Sequence, residues 1–367
     1  MPKNDELLLT VFEALDYIKN NPCEAAQMID GIKEAVAVIA ATSENNSKKE
    51  TVQLPLYETG KSFIRLFEEI KKSTVDEIKS HIIKKYNLVD DRFKMIIEKY
   101  YKDYNFWGTL DIEKNDYNVF QNHAEALVNH ADDFLWLYRR LADYRSRYIL
   151  HAYVENWLNF NFEGLKKSLE KIFYDYFDTD IIKCGHNEVF VDLGAFNGDT
   201  VVNYITVYGE SYKKIYCYEI LPESFNALRE NLKSLKNIEL RQKGASDKKG
   251  VMFLSKSNIL SANTLSEKPA EDSVEIETVA LDEDITEPVT FIKMDIEGAE
   301  QAAVRGCARH IAKSKPKLAI SLYHNNEDIW KIPRMIDEIC PGYKFYLRYH
   351  GGELLVSELS LLAVHEE

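Results

Sequence analysis

The chain divides into two regions of different class: an all-helical first half, residues 1–180, and an α/β second half, 181–367, on a mostly parallel sheet. Three observations predict this. From Glu188 onward, short apolar runs alternate with segments of helical spacing, the pattern of βαβ units. The stretch Glu188-Val-Phe-Val-Asp-Leu-Gly-Ala-Phe-Asn-Gly-Asp-Thr200 reads as a buried strand, a tight glycine turn and a helix start. Before residue 180, apolar residues recur at helical spacing, and no strand alternation of convincing length interrupts them.

In chain order, Leu7, Leu8, Val11, Leu15 and Ile18 share one helix face. Met28, Ile29, Ile32, Val36 and Ile39 repeat the pattern after Pro22, and these two amphipathic segments suit a hairpin for self-association. Ser43–Glu50 is polar and reads as a linker. Helices are predicted over Ser62–Lys72, Val75–Tyr86, Arg92–Tyr104 and Phe162–Phe177. Between them lies an aromatic-rich stretch from about Val119 to Phe160, whose Phe134, Trp136, Tyr138, Tyr144, Tyr148, Tyr153 and Trp157 are suited to pack a core or, for some of them, to line a groove that stacks on a sugar acceptor.

In the second half the strand candidates are Val189–Asp192, Lys214–Tyr218, Ile238–Gln242, Thr290–Asp295 and Lys317–Tyr323. Val201–Val207, Pro222–Ser234, Gly298–Ile311 and Ile329–Ile339 supply the helices between them. Lys344–Tyr349 and Leu359–Val364 flank Gly351-Gly352 as an antiparallel hairpin at the sheet's edge. The polar Ser255–Ser273 is an excursion between two short strands.

Composition limits the partners. At 367 residues with 45% hydrophobic content, the chain has ample material for a full core. A formal net charge of -14 argues against nucleic acid or an anionic membrane as main partner. The five cysteines are scattered, without a C-x-x-C pair, which fits a reducing compartment. No signal peptide is visible, and no apolar run approaches the roughly 18 residues of a membrane span. The expectation is a cytoplasmic protein.

The chemistry concentrates at strand ends. Asp192 ends the first strand, and Gly194 and Gly198 let the following backbone pass close to a ligand. Glu219 ends the second strand about twenty residues on, where an acid accepts hydrogen bonds from a ribose. Phe196 stands where a dinucleotide loop has its second glycine, and Asp199 sits at the helix start where a phosphate would bind. Both disfavour a pyrophosphate and favour a cationic nucleoside, for which S-adenosylmethionine is suited. An NAD-dependent oxidoreductase is the disfavoured alternative, since no Tyr-x-x-x-Lys follows. A non-catalytic scaffold is the other.

The ordered set Asp192-Leu-Gly-Ala-Phe-Asn-Gly-Asp-Thr200, Tyr218-Glu219, Lys243-Gly-Ala-Ser-Asp247, Thr278-Val-Ala-Leu-Asp282 and Ile292-Lys-Met-Asp-Ile-Glu-Gly-Ala-Glu300 resembles the FkbM-type family of S-adenosylmethionine-dependent methyltransferases. The resemblance covers about residues 185–365 and leaves out the helical half. It implies a Rossmann-like, seven-stranded class I methyltransferase sheet with the cofactor over its first two strands. It also implies methyl transfer to a small-molecule or glycan acceptor, typically to a hydroxyl, with N-methylation as the nearest variant.

Carried over, Asp192, Gly194, Ala195, Asn197, Gly198, Asp199 and Thr200 would cradle the methionine side. Glu219 would bind the ribose, while Gly244, Ala245 and Ser246 would lie beside the adenine. Asp295 would face the methyl group. Relatives resemble an Ile-Glu-x-His pattern after the fifth strand, where this chain has Ile320-Ser-Leu-Tyr-His324, so a serine replaces the acid and the histidine stays. A hydroxyl acceptor must lose a proton, and Asp295, Glu297 and His324 are the candidates to take it. His324 is attractive because imidazole titrates near neutrality. The same three side chains form a set able to hold a divalent cation, although no spacing motif supports one. Glu300, one turn after Glu297 at a helix start, reads as structural.

Overall fold

The computed structural model describes residues 58–104, 106–255, 264–266 and 273–366, which belong to one compact unit spanning Tyr57–Glu367. The two leading amphipathic segments, the linker and most of the Ser255–Ser273 excursion lie outside the described residues.

The first half is helical. Helices α1 (Glu58–Ile70), α2 (Val75–Asn87) and α3 (Asp91–Asp103) are followed by α4 (Asn118–Asn129), α5 (Ala131–Arg140), α6 (Tyr144–Asn159) and the short α7 (Phe162–Ser168). Local chemistry sets their ends. Thr74 and Glu77 form a reciprocal capping box at the start of α2, and Asp143 accepts the Ser146 N–H to start α6. The aromatic stretch packs inward: Phe134, Tyr138, Tyr153 and Trp157 are all buried.

The helix predicted over Phe162–Phe177 ends at Ser168. Leu169 forms a parallel bridge to Tyr349, and the Glu170 carboxylate accepts the N–H groups of Lys171, Ile172 and Phe173. Those donors are drawn into a turn instead of a helical ladder.

The second half is a seven-stranded sheet built from β1 (Val189–Leu193), β2 (Lys214–Tyr218), β3 (Ile238–Arg241), β8 (Phe291–Met294), β9 (Lys317–Ser321), β10 (Tyr343–Tyr349) and β11 (Leu359–His365). Their spatial order is β10-β11-β9-β8-β1-β2-β3. All pairs are parallel except those of β11, which is antiparallel to both β9 and β10. The C-terminal hairpin therefore does not simply extend the edge, because its second strand inserts between β9 and β10. Helices α8 (Asp199–Tyr208) and α9 (Pro222–Leu232) follow β1 and β2, and α13 (Asp328–Ile339) precedes β10. The segment predicted as one helix over Gly298–Ile311 is two, α11 (Glu300–Gly306) and α12 (Ala308–Ser314), broken at Cys307. Between β3 and β8 lie β4 (Gly244–Ser246), β5 (Gly250–Ser255), β6 (Thr264–Ser266) and β7 (Val274–Ala280), a small sheet in the order β4-β7-β5-β6, then the one-turn α10 (Leu281–Asp284).

Every residue of β1 is buried, as expected for a strand with neighbours on both sides and layers on both faces. The chain runs outward from β1 through β2 to β3, then returns to the other side of β1 as β8. That reversal makes the carboxyl ends of β1, β2 and β8 a topological switch point, where open α/β sheets bind ligands.

One hydrophobic cluster runs from Phe63 in α1 through Trp157 in α6 to Leu347 in β10, so the change in character near residue 180 is not a break in packing. Leu141 bridges Phe345, Leu169 bridges Tyr349, and α6 packs along β10. The helical half thus covers an edge strand that would otherwise expose unpaired backbone groups. No helix among the described residues is long and apolar enough to cross a membrane.

Candidate active site

The loop after β1 is held from three sides. The N–H groups of Gly194 and Ala195 donate to the Tyr218 carbonyl at 3.0 and 2.9 Å, and the Phe196 N–H donates to Glu219 Oε2 at 2.9 Å. Gly194 has φ +79, and a Cβ there would stand 1.9 Å from the Asp295 carbonyl oxygen. Only glycine fits between the ends of β1 and β8. Gly198, φ +91, precedes α8, and Asn197 Oδ1 caps that helix by accepting the Asp199 N–H at 3.1 Å.

A cavity of about 680 Å³ opens at the ends of β1, β2 and β8. Of the residues singled out in the sequence, Gly194, Asp199, Thr200 and Glu219 line one part of it. Gly244, Ala245, Asp295 and Glu297 line the rest. Six others do not reach it. Asp192 is 0% exposed beneath the loop, and the β1–β8 register sets it opposite Lys293, whose Nζ is 3.1 Å from Asp192 Oδ1. Lys293 Nζ also donates to the Gly194 carbonyl at 2.8 Å, so this pair props the loop from below. Ala195 is buried inside the turn, and Asn197 and Gly198 serve the helix start. Ser246 packs against α11, where Gly306 leaves no room for a Cβ above its carbonyl. His324 is 1% exposed and stands behind Asp295.

Asp295 is the centre of the polar network. Its Oδ2 accepts the Tyr176 hydroxyl at 2.9 Å, its Oδ1 the Tyr323 hydroxyl at 3.4 Å, and His324 Nε2 lies 3.5 Å from Oδ1. Ser321, where the family resemblance implies an acid, shares the Tyr176 hydroxyl at 3.2 Å. His324 Nδ1 is 2.8 Å from Glu300 Oε1, and its Nε2 is 3.5 Å from Glu297 Oε2.

Residues 192–351 match the model of the methyltransferase FkbM domain. This part of the chain is similar to an FkbM methyltransferase domain. The FkbM methyltransferase of Methylobacillus flagellatus KT has a similar structure, with a TM-score of 0.55 and 25% identity over 65% of this chain and 59% of that one. The present chain thus spans a little under three-fifths of that protein's length. A Streptococcus mutans methyltransferase solved with SAH aligns at a TM-score of 0.33 and 14% identity, over 51% of this chain and 92% of that one. Aeropyrum pernix fibrillarin with S-adenosyl-L-methionine aligns at 0.32 and 11%, over 50% and 70%. No curated protein matches the chain.

Within the FkbM-like domain, the electrostatics correct one expectation. Burial opposes a charge on His324, yet Glu300, Asp295 and Glu297 together push its pKa up to about 10. It is not the near-neutral group its residue type suggests. Burial also works against the Asp295 charge, but His324 and Lys293 hold that carboxyl below its ordinary value. Desolvation pushes Glu297 up to about 8 against the pull of His324, and Asp295 adds to the rise. Burial raises Glu219 as well, and the N–H groups of Leu221 and Phe196 counter it.

Sequence reasoning missed Asp175, Tyr176, Tyr323 and Glu358 on the cavity wall, and Lys293 under the loop. Lys293 lies within the Ile292–Glu300 motif, two residues before Asp295, and its place in a buried strand is the available signal. Tyr176 and Glu358 come from irregular segments far from any motif. Four non-glycine residues with left-handed backbone, Tyr176, Phe196, Glu297 and Glu358 (φ 67, 45, 54 and 42), all line this cavity. Such strain persists where packing over-determines the backbone, and it gathers at functional sites.

Proposed function

We propose that the FkbM-like domain is an S-adenosylmethionine-dependent methyltransferase that methylates a hydroxyl of a saccharide or saccharide-like acceptor. The observation that carries this reading is one cavity walled by the Gly194 loop and by acids at the ends of two strands, Glu219 and Asp295. The donor set suits the cofactor. Each Glu219 oxygen accepts one backbone N–H, from Leu221 at 2.7 Å and from Phe196 at 2.9 Å, and a carboxylate keeps further lone pairs for ribose hydroxyls. Asp199 at the start of α8 repels a phosphate and attracts an ammonium or sulfonium. Leu221, Gly244 and Ala245 give the cavity wall apolar surface suited to a purine.

When bound, S-adenosylmethionine supplies a methyl group on a positively charged sulfur. The residues have three tasks: to hold the acceptor in line, to receive its proton and to keep water out. Asp295, held ionised, accepts a hydrogen bond from the acceptor hydroxyl. Asp295 and Glu297 are the carboxylates at this end to which the proton passes. Tyr176 and Tyr323 fix the Asp295 carboxylate from two sides.

Phe134, Tyr138, Tyr153 and Trp157 of α5 and α6 are in the core, and the cavity wall takes its aromatic residues of the first half from residues 175–177. The acid-rich wall of Asp175, Glu297 and Glu358 favours a second reading, an acceptor amine that is N-methylated.

Calorimetry with S-adenosylmethionine tests the proposal. Micromolar or tighter binding is expected, weakened at least tenfold in Glu219→Ala. Asp295→Asn is expected to keep cofactor binding and lower turnover by about 10²–10⁴-fold. Absence of cofactor binding by the folded protein would sink the reading. Fragmentation of product carrying isotope-labelled methyl separates oxygen from nitrogen.

A further inference from the structure

Behind the Asp295 side of the cavity, one imidazole is surrounded by carboxylates. His324 is the ion-pair partner of Asp295, Glu297 and Glu300, and among the described residues no lysine or arginine pairs with any of the three. Ligand atoms of Asp295, Glu300 and His324 all lie within 4.8 Å of one another. A six-coordinate cation with ligands at about 2.1 Å separates adjacent ligand atoms by about 3 Å and opposite ones by about 4.2 Å, so the group needs little contraction to close on one.

A second, independent feature points the same way. His324 Nε2 and Glu300 Oε2 are buried and have no hydrogen-bond partner, in side chains 1% and 0% exposed. Buried polar atoms are ordinarily satisfied, so two orphans in one cluster need an explanation. Glu300 Oε1 already accepts the Ile296 N–H at 2.9 Å and faces His324 Nδ1 at 2.8 Å. The rings of Phe106 and Tyr323 pack on the imidazole at 5.3 and 4.2 Å, which keeps bulk water off the ring.

We propose that Asp295, Glu300 and His324 hold a divalent cation at the acceptor end of the cavity. The set contains two carboxylates, one imidazole and no thiolate, which suits a manganese- or magnesium-type ion. It supplies three protein ligands, and the remaining positions are open to water or to oxygens of the acceptor. Asp295 would offer the cation Oδ1, while Oδ2 stays with Tyr176. A hydroxyl bound to the ion sheds its proton more readily and is fixed in direction. The existence of the site does not depend on the methyl-transfer reading, whereas this role for it does. The proposed set differs from the one considered in the sequence, with Glu300 in place of Glu297.

The test uses the full chain, freed of metal with chelator and titrated with MnCl2 alone, followed by the loss of the free-ion paramagnetic signal. One equivalent is expected to bind. His324→Gln and Glu300→Gln should each weaken that binding at least tenfold, with Glu297→Gln closer to the parent. Crystals soaked in MnCl2 should show an anomalous peak among the three side chains, a readout that does not depend on any variant folding. No Mn2+ binding at millimolar concentration, or a peak elsewhere, overturns the site. Binding of S-adenosylhomocysteine by the same metal-free sample shows separately whether the methyltransferase reading stands.

Discussion

Gly194 shows how one missing side chain sets the site. Its φ of +79 and the 1.9 Å approach of the Asp295 carbonyl to the position of a Cβ leave an alanine no rotamer to choose and no space to occupy. Gly194→Ala should lower stability by about 3 kcal/mol or more, or displace the ends of β1 and β8. Urea denaturation checks this, and a variant of unchanged midpoint and unchanged cofactor affinity would refute it. The need for glycine here was legible, because a glycine directly after a buried strand in an α/β pattern marks a close approach. The fate of Asp192 was not. Sequence gives its place at the strand end, but only register reveals that it lies opposite Lys293. Asp192 pairs with Lys293, which donates to the Gly194 carbonyl, so the pair supports the loop from below; burial pushes Asp192 up to about 6 even though Lys293 pulls the other way. His324 failed as a near-neutral base for a similar reason: three carboxylates from a turn and a helix converge on it, and no spacing along the chain records that.

At the level of elements, strands and their order were the most readable part of the chain. Buried parallel strands are short continuous apolar runs, and the run from Lys214 to Tyr218 has the same bounds in the structure. The segment after α7 was misread because Phe162–Phe177 keeps helical spacing while its donors are taken by Glu170 and by the bridge to β10. Long-range pairing of this kind overrides local pattern. The join between the helical half and β10 rests on Arg348, 5% exposed. It donates to Asp178 Oδ2 at 2.6 Å and to Asp143 Oδ2 at 2.9 Å. Arg348→Met should cost about 3–5 kcal/mol, because Asp178 is left buried without a counter-charge. Adding Asp178→Asn should recover part of that loss. Chemical denaturation of the single and double variants measures both, and equal midpoints for parent and single variant would rule the linkage out.

Across the whole molecule, the net charge of -14 gives no hint that acids converge on one cavity, since it counts surface and interior alike. Asp175 is the clearest case. Burial pushes it up to about 7, the Asp295 charge adds to the shift, and Ser360, the Tyr176 N–H and Lys293 oppose it. His350, 3.6 Å away, is held down to about 4 by burial and is neutral in this range, so it supplies no balancing charge. Glu358 on the same wall is also raised to about 7, by burial and then by Asp295 and Asp175. Because these folded-state pKa values lie above the unfolded ones, the folded protein binds more protons between about pH 4 and 7. Stability contributed by these groups therefore falls as pH rises through that window. A cationic ligand reverses the preference, since it favours the ionised wall. S-adenosylmethionine and S-adenosylhomocysteine differ in the charge on sulfur, so the ratio of their affinities isolates this effect. That ratio should rise between pH 6 and 8 in favour of the sulfonium by about fivefold, the equivalent of one charge about 8 Å away at an effective dielectric constant of about 40. Asp175→Asn should flatten the rise while leaving S-adenosylhomocysteine binding unchanged. A ratio independent of pH in the parent protein would mean that the acids of this wall do not feel the cofactor's charge.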